Sequence, residues 1–219
     1  MGASLFTFSD HAEWVGAVTA ALVDDIHRVL REKPTALVAA AGGKTPGPIL
    51  ARLAGAMLPW SRVTFIPTDD RLVSEEHPAR NAALLRQWLA PAIAAGAQVT
   101  SLEELRGAVM PDAVLLGFGS DCHIASLFPN AAGIDAALAL DGEASTTRMA
   151  PDPLPPEAPY PRITLTLRAL VSPRRILVAA AGADKILALE RAQMADAMAT
   201  PLAVLLAQTR TPVSAYIRQ

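Results

Sequence analysis

Residues 112–129 read DAVLLGFGSDCHIASLFP, and this stretch is the best guide to the fold. Its first half is an apolar run closed by two glycines, which is typical of a buried strand that ends in a tight loop. Its second half holds Asp121, His123 and the only cysteine of the chain, Cys122. A buried strand followed by a polar, glycine-rich loop is typical of the ligand-binding edge of a parallel α/β sheet.

Outward from this stretch, apolar strand-like segments alternate with segments of helical periodicity. Further strands are predicted at residues 35–40, 62–67, 146–150, 162–167 and 174–182. Helices are predicted at residues 9–33, from the 42–47 turn to Met57, at about 79–90 and at 183–199. Continuous apolar strands separated by helices favour an α/β fold, Rossmann-like, with a mostly parallel sheet covered by helices on both faces. We expect one domain over residues 1–219, with the proline-rich segment 150–161 as a surface excursion.

Composition excludes several classes of function. The chain has 219 residues, 52% hydrophobic and 18% charged, which is enough apolar material for a sizeable core. The formal charge is -2 and there is no basic run, so no nucleic-acid partner is expected. Neither an apolar stretch long enough to span a bilayer nor the basic lead of a signal peptide is present, so no membrane partner is expected. A single cysteine fits a reducing compartment; we expect a cytoplasmic monomer or weak homodimer.

Four polar or glycine-rich clusters follow predicted strands. They are residues 42–46, 68–71, 117–123 and 182–185. Because the carboxyl ends of parallel strands lie at one edge of a sheet, we expect the four clusters to form one composite site.

The first cluster, in AAAGGKTP, resembles a phosphate-binding P-loop, but the first glycine of that motif is replaced by Val38. ATP chemistry is therefore disfavoured. Gly42 and Gly43 could still offer consecutive backbone N–H groups to a phosphate at the start of the next helix. A plain strand-to-helix turn is the alternative interpretation.

The 117–123 cluster fits neither a dinucleotide fingerprint, whose third glycine is Cys122 here, nor a G-x-S-x-G nucleophile elbow. The four histidines are scattered, and no metal site is expected. His11, His27 and His77 are interpreted as solvated or loop residues. His123 differs, because it follows an apolar strand and lies two residues from Asp121, and imidazole is the side chain best suited to proton transfer near neutrality.

Five segments together carry a resemblance to a known family, and they cover the chain from about residue 35 to 190. They are GGKTP, TDDRLVSEEHPARN, LLGFGSDCHIASLFP, PRITLTL and AGADK. In order and approximate spacing they resemble the 6-phosphogluconolactonase family, which belongs with the glucosamine-6-phosphate isomerase/deaminase group. The SLFP that follows the histidine favours the lactonase branch over the deaminase branch.

The resemblance implies hydrolysis of 6-phospho-D-glucono-1,5-lactone to 6-phosphogluconate, without a cofactor, in the pentose phosphate and Entner–Doudoroff routes. It implies His123 as the general base, with Asp121 and Asp69 orienting the histidine or the substrate hydroxyls. Asp121 could instead cap the loop backbone. Substrate binding is assigned to backbone donors and cations. These residues are Gly42, Gly43, Lys44, Thr45, Arg71, Arg162 and Lys185.

The chain departs from the family pattern at three places. Asp70 stands where a Glu is usual, and Lys44 where a Ser is usual. The usual Asp-Gly-His-Thr is Asp121-Cys122-His123-Ile124 here, so a loop position that favours positive φ carries a side chain, at a cost of about 1–3 kcal/mol. Two other functions therefore stay open: an amino-sugar-phosphate isomerase or deaminase, and a sugar-phosphate-binding protein without activity.

Overall fold

The structure is a computed structural model, and it describes residues 3–150, 159–194 and 200–219. Most of the proline-rich segment predicted to be a surface excursion, and the last five residues of the helix predicted at 183–199, lie outside these ranges. Strands occupy the following positions in the described ranges: β1 (Ser4–Phe8), β2 (Ala36–Ala40), β3 (Val63–Pro67), β4 (Asp69–Arg71), β5 (Gln98–Val99), β6 (Ala113–Leu116), β7 (Thr146–Met149), β8 (Arg162–Leu165), β9 (Ile176–Ala181) and β10 (Val213–Arg218). Helices occupy these: α1 (His11–Glu32), α2 (Gly47–Leu53), α3 (Asn81–Trp88), α4 (Ala90–Ala94), α5 (Ile134–Leu138), α6 (Leu167–Leu170), α7 (Ala183–Met194) and α8 (Pro201–Ala207), with a 3-10 turn at Trp60–Arg62.

Seven strands form the central sheet in the order β1-β10-β9-β6-β2-β3-β5, and every pair in it is parallel. Strand β6, from the DAVLLGFG stretch, lies in the middle of this sheet and is buried along its whole length. Its side chains alternate between two hydrophobic clusters: Val114 and Leu116 pack on one face, and Ala113 and Leu115 on the other. The predicted α/β fold with a mostly parallel, doubly covered sheet is therefore confirmed.

Helix α1 shows how the sequence covers one of these faces. Trp14, Val18, Leu22 and Ile26 follow each other at intervals of four residues and are all no more than 1% exposed. The helix begins at His11, where the Asp10 side chain caps it by accepting a hydrogen bond from the backbone N–H of the third helical residue at 2.8 Å.

The structure differs from the sequence prediction in a second, smaller sheet. Strands β4, β8 and β7 pair antiparallel in that order, so the segments predicted at 146–150 and 162–167 do not join the parallel sheet. A parallel connection needs a crossover, usually a helix, and the proline-rich sequence between these two strands does not favour one. In the described part of the chain, no helix combines the length and the apolar character needed to cross a bilayer.

Candidate active site

A cleft of about 250 Å³ opens where the central strands end. The segments that follow β2, β3, β6 and β9 all reach it, so the four clusters that the sequence placed at strand ends do converge. Of the residues predicted for the site, all but Asp121 line the cleft directly. Those that line it are Gly42, Gly43, Lys44, Thr45, Asp69, Arg71, His123, Arg162 and Lys185.

The turn after β2 forms one wall of the cleft. Gly43 has a φ of +91°, a left-handed conformation that favours glycine. At Gly42 a Cβ would lie 2.0 Å from Oδ1 of Asn81, so the backbone comes closer to that side chain than any other residue type would allow. The sequence suggested that Gly42 and Gly43 supply the first N–H groups of the next helix. In the structure, helix α2 begins only at Gly47, so the two glycines precede it by about one turn.

His123 and Asp121 form a pair at the mouth of the cleft. Nδ1 of His123 lies 2.6 Å from Oδ1 of Asp121, and the same carboxylate oxygen accepts the backbone N–H of His123 at 3.3 Å. Asp121 thus both holds the imidazole and caps the loop. Gly119 makes the pair possible, since a Cβ there would lie 2.2 Å from each of the two paired atoms.

The environment of the His123 ring suits proton transfer. The ring packs against Phe128 with a centroid separation of 4.5 Å, and the side chain is 30% exposed. Nε2 has no hydrogen-bond partner among the residues that the structure describes. When Nδ1–H donates to Asp121, Nε2 is the nitrogen able to accept a proton. Burial acts to raise the pKa of Asp121, but its hydrogen bond to His123 and the charge of that ring outweigh burial and lower the pKa.

The loop that carries this pair is strained at Cys122. Its φ of +67° is left-handed, as the resemblance to a glycine-containing motif implies, and the side chain is 4% exposed. Surrounding hydrogen bonds hold the conformation: Cys122 donates its N–H to the carbonyl of Gly119 at 3.0 Å and accepts from the N–H of Leu202 at 3.1 Å. The thiol donates to the carbonyl of Ala188 at 3.4 Å.

The cleft carries more positive than negative charge. Lys44, Arg71, Arg162 and Lys185 face a single carboxylate among the described lining residues, that of Asp69. Burial lowers the pKa of Arg162; the charge of Asp69 opposes this shift and that of Arg71 adds to it. Such a cleft favours an anionic ligand.

Asp69 is anchored from two sides, and sequence reasoning missed one of the anchors. Oδ1 accepts from the hydroxyl of Thr68 at 3.2 Å, and Oδ2 accepts from the hydroxyl of Ser126 at 2.5 Å. Ser126 is fully buried and lies in the same loop as His123. Only its place in the SLFP segment of the family resemblance could have singled it out.

Asn81 is the second residue that sequence reasoning missed. It lines the cleft, is 2% exposed and donates from Nδ2 to the carbonyl of Asp69 at 2.7 Å. Asn81 is the last residue of TDDRLVSEEHPARN, and its place in this segment of the family resemblance is the one signal that could have identified it as a site residue.

The other three histidines do not line the cleft. His77 accepts the N–H of Ala79 at 3.1 Å through Nδ1, and its Nε2 lies 3.4 Å from the hydroxyl of Tyr160. Within the described ranges, no three His, Cys, Asp or Glu side chains are grouped so as to hold a metal ion.

Fold and cleft together define the class: a parallel α/β protein with a cation-rich cleft and an Asp–His pair at its strand ends. The chain belongs to the glucosamine-6-phosphate isomerase/6-phosphogluconolactonase family, whose model matches residues 9–213. It is 32% identical to the 6-phosphogluconolactonase of Pseudomonas aeruginosa over 99% of this chain and 92% of that protein. It is 33% identical to the 6-phosphogluconolactonase of Caulobacter vibrioides over 95% of this chain and 94% of that protein.

Solved structures share the fold. A 6-phosphogluconolactonase from Shewanella baltica superposes with a TM-score of 0.88 at 24% identity, covering 99% of this chain and 98% of that one. The 6-phosphogluconolactonase of Trypanosoma brucei gives a TM-score of 0.80 at 23% identity, covering 99% of this chain and 96% of that one.

Proposed function

We propose that this protein hydrolyses 6-phospho-D-glucono-1,5-lactone to 6-phosphogluconate, using its own side chains and no cofactor. The relatives from Pseudomonas aeruginosa and Caulobacter vibrioides, which align with nearly the whole chain, are named 6-phosphogluconolactonases. The observation that carries the proposal is the Asp121–His123 pair: His123 lines the cleft together with four cations, and its Nε2 has no hydrogen-bond partner among the described residues.

In the proposed reaction, Nε2 of His123 removes a proton from a water molecule as its oxygen attacks C1 of the lactone. The bond between C1 and the ring oxygen then breaks, and His123 returns the proton to the leaving oxygen, which gives the open-chain acid. Asp121 accepts from Nδ1–H, fixes the tautomer and stabilises the imidazolium that forms transiently. An activated lactone needs no covalent intermediate, in agreement with the lack of a nucleophile elbow in the sequence.

The substrate phosphate is assigned to the cations and to the glycine turn. Arg71 can grip phosphate oxygens with parallel hydrogen bonds, whereas Lys44 and Lys185 act as point charges. The N–H groups of Gly42, Gly43 and Thr45, in the turn after β2, add neutral donors. Asp69, anchored by Ser126 and balanced by Arg162, is assigned to the substrate hydroxyls. Buried carboxylates suit hydroxyl recognition because they accept hydrogen bonds only.

The remaining parts of the proposal concern the setting. We propose a single domain that acts in the cytoplasm as a monomer or weak homodimer, which fits the composition. We place its reaction in the pentose phosphate and Entner–Doudoroff routes, which fits the names of the relatives. The ligand is a phosphorylated sugar lactone; neither nucleic acid nor membrane is proposed as a partner.

The test is lactone hydrolysis with freshly generated substrate, corrected for spontaneous opening. General-base catalysis contributes about 10²–10⁴-fold, so His123→Ala and His123→Asn should each lower kcat by a factor in that range. Binding of 6-phosphogluconate, measured by calorimetry, should persist in both variants because the cations are unchanged. His27→Ala, which removes a histidine outside the cleft, is the matched control and should behave as wild type.

Two results would contradict the proposal. Wild-type protein that binds 6-phosphogluconate without accelerating lactone opening would be a binding protein. Release of ammonia from glucosamine 6-phosphate, without lactone hydrolysis, would place the chain in the isomerase/deaminase branch.

A further inference from the structure

Asn81 makes hydrogen bonds to all three residues of β4. Its Oδ1 accepts from a terminal nitrogen of Arg71 at 2.7 Å, and its Nδ2 donates to the carbonyl of Asp69 at 2.7 Å. Its own N–H donates to Oδ1 of Asp70 at 2.7 Å, which fixes the first residue of α3. We propose that Asn81 is a positioning residue that sets the orientation of the Arg71 guanidinium in the cleft; this inference rests on the proposed lactonase function.

The hydrogen bonds of Arg71 explain why its orientation depends on this amide. The terminal nitrogen that donates to Asn81 also donates to the carbonyl of Ala79 at 2.8 Å. Nε of Arg71 is buried and has no partner in the described part of the chain. Because the guanidinium is planar and rigid, holding one corner fixes the directions in which its other donors point. The second terminal nitrogen has no hydrogen-bond partner among the described residues either, and, unlike Nε, it is not buried, so it is the donor left for a ligand in the cleft that Arg71 lines.

The amide also sets the distance between Arg71 and the glycine turn. A Cβ on Gly42 would lie 2.0 Å from Oδ1 and 2.2 Å from Cγ of Asn81, so the turn is packed directly against this side chain. Asn81 therefore packs against the glycine turn, accepts a hydrogen bond from Arg71 and donates one to the backbone of Asp69. Neither Ala, which has no amide, nor Asp, which has no donor, could make both hydrogen bonds.

A double-mutant cycle tests whether Asn81 acts through Arg71. In wild-type background, Asn81→Ala should lower kcat/KM for 6-phosphogluconolactone by about 10- to 100-fold, as expected when a hydrogen bond to a charged group is lost. In an Arg71→Met background, the same change should lower kcat/KM by less than about threefold, since residues that act as a unit are not additive. Asn81→Ser is the second variant if the alanine variant unfolds, and it should give the same coupling.

Ser126→Ala is the matched control, because it removes another buried anchor of the cleft that does not contact Arg71. Its effect on kcat/KM should be the same in both backgrounds. A purely structural role of Asn81 would instead lower kcat/KM by the same factor with and without the Arg71 side chain, and that result would overturn the inference.

Calorimetric binding of 6-phosphogluconate separates this inference from the proposed function. A wild-type protein that binds but does not hydrolyse would refute the lactonase function, and Asn81→Ala should still weaken binding only when Arg71 is present. Equal weakening in both backgrounds, or no binding by the wild-type protein, would overturn the inference itself.

Discussion

Gly119→Ala should separate catalysis from stability in this protein. The new Cβ would lie 2.2 Å from Oδ1 of Asp121 and from Nδ1 of His123, whereas real Cβ contacts are essentially never shorter than 3.0 Å. One or both side chains must therefore move by roughly 1 Å, which disrupts their 2.6 Å hydrogen bond. A misplacement of about 1 Å can cost a catalytic group about 10²-fold in rate, so kcat should fall by about that factor.

Stability should change little, because the paired side chains are 30% and 54% exposed and can move toward solvent. Gly119 itself is buried, but the interaction that its Cβ displaces is a solvent-exposed ion pair, and such pairs contribute about 0–1 kcal/mol to stability. Gly117→Ala is the matched control in the same loop, since the nearest atom to its Cβ would be a carbonyl oxygen at 3.8 Å. Lactone hydrolysis and urea unfolding of both variants check the argument. Normal kcat in Gly119→Ala, or an equal loss in Gly117→Ala, would refute it.

Two further predictions concern charge. Lys185→Ala should raise KM strongly for the phosphorylated lactone and little for unphosphorylated gluconolactone, because the cation is assigned to the phosphate; equal losses in steady-state assays of both would exclude that role. The pKa of Asp121 is lowered in the folded state, so its carboxylate stabilises the fold above its ordinary pKa of 3.8, and this contribution is lost as the pH falls through the lowered value. Urea unfolding across this range should therefore show a steeper loss of stability for wild type than for Asp121→Asn, and identical pH profiles would contradict the assignment.

The central architecture could be predicted because its signals are local. The apolar run before Gly117 and the four-residue spacing along α1 each report burial directly, and the polar clusters mark where strands end. The convergence of those clusters followed from the rule for parallel sheets alone. The resemblance then supplied roles for residues such as His123, which periodicity cannot do.

The parts that sequence reasoning missed depend on contacts between distant segments. Asn81 and Ser126 look like an ordinary loop amide and hydroxyl, and only the fold brings them to Arg71 and Asp69. Strands β1 and β10 escaped prediction as well. Their segments, SLFTF and VSAYIR, mix polar with apolar residues, and β1 is an exposed edge strand whose burial pattern carries little signal.

The three departures from the family pattern have different physical consequences. Asp70, where a Glu is usual, is fully buried behind the cleft, where it accepts the N–H groups of Asn81 and Ala82 at 2.7 and 3.1 Å. Its shorter side chain therefore serves the start of α3, and no substrate contact is lost with it. Cys122 strains the backbone, yet the Asp–His pair beside it forms. Only Lys44 lines the cleft, and an added cation there favours a phosphate. Ile124, which replaces the usual Thr and so lacks its hydroxyl, is fully buried in a hydrophobic cluster and does not line the cleft. His123, Asp121 and Asp69, the residues assigned to the proposed hydrolysis, are all retained, and this is why we propose lactone hydrolysis and not binding alone.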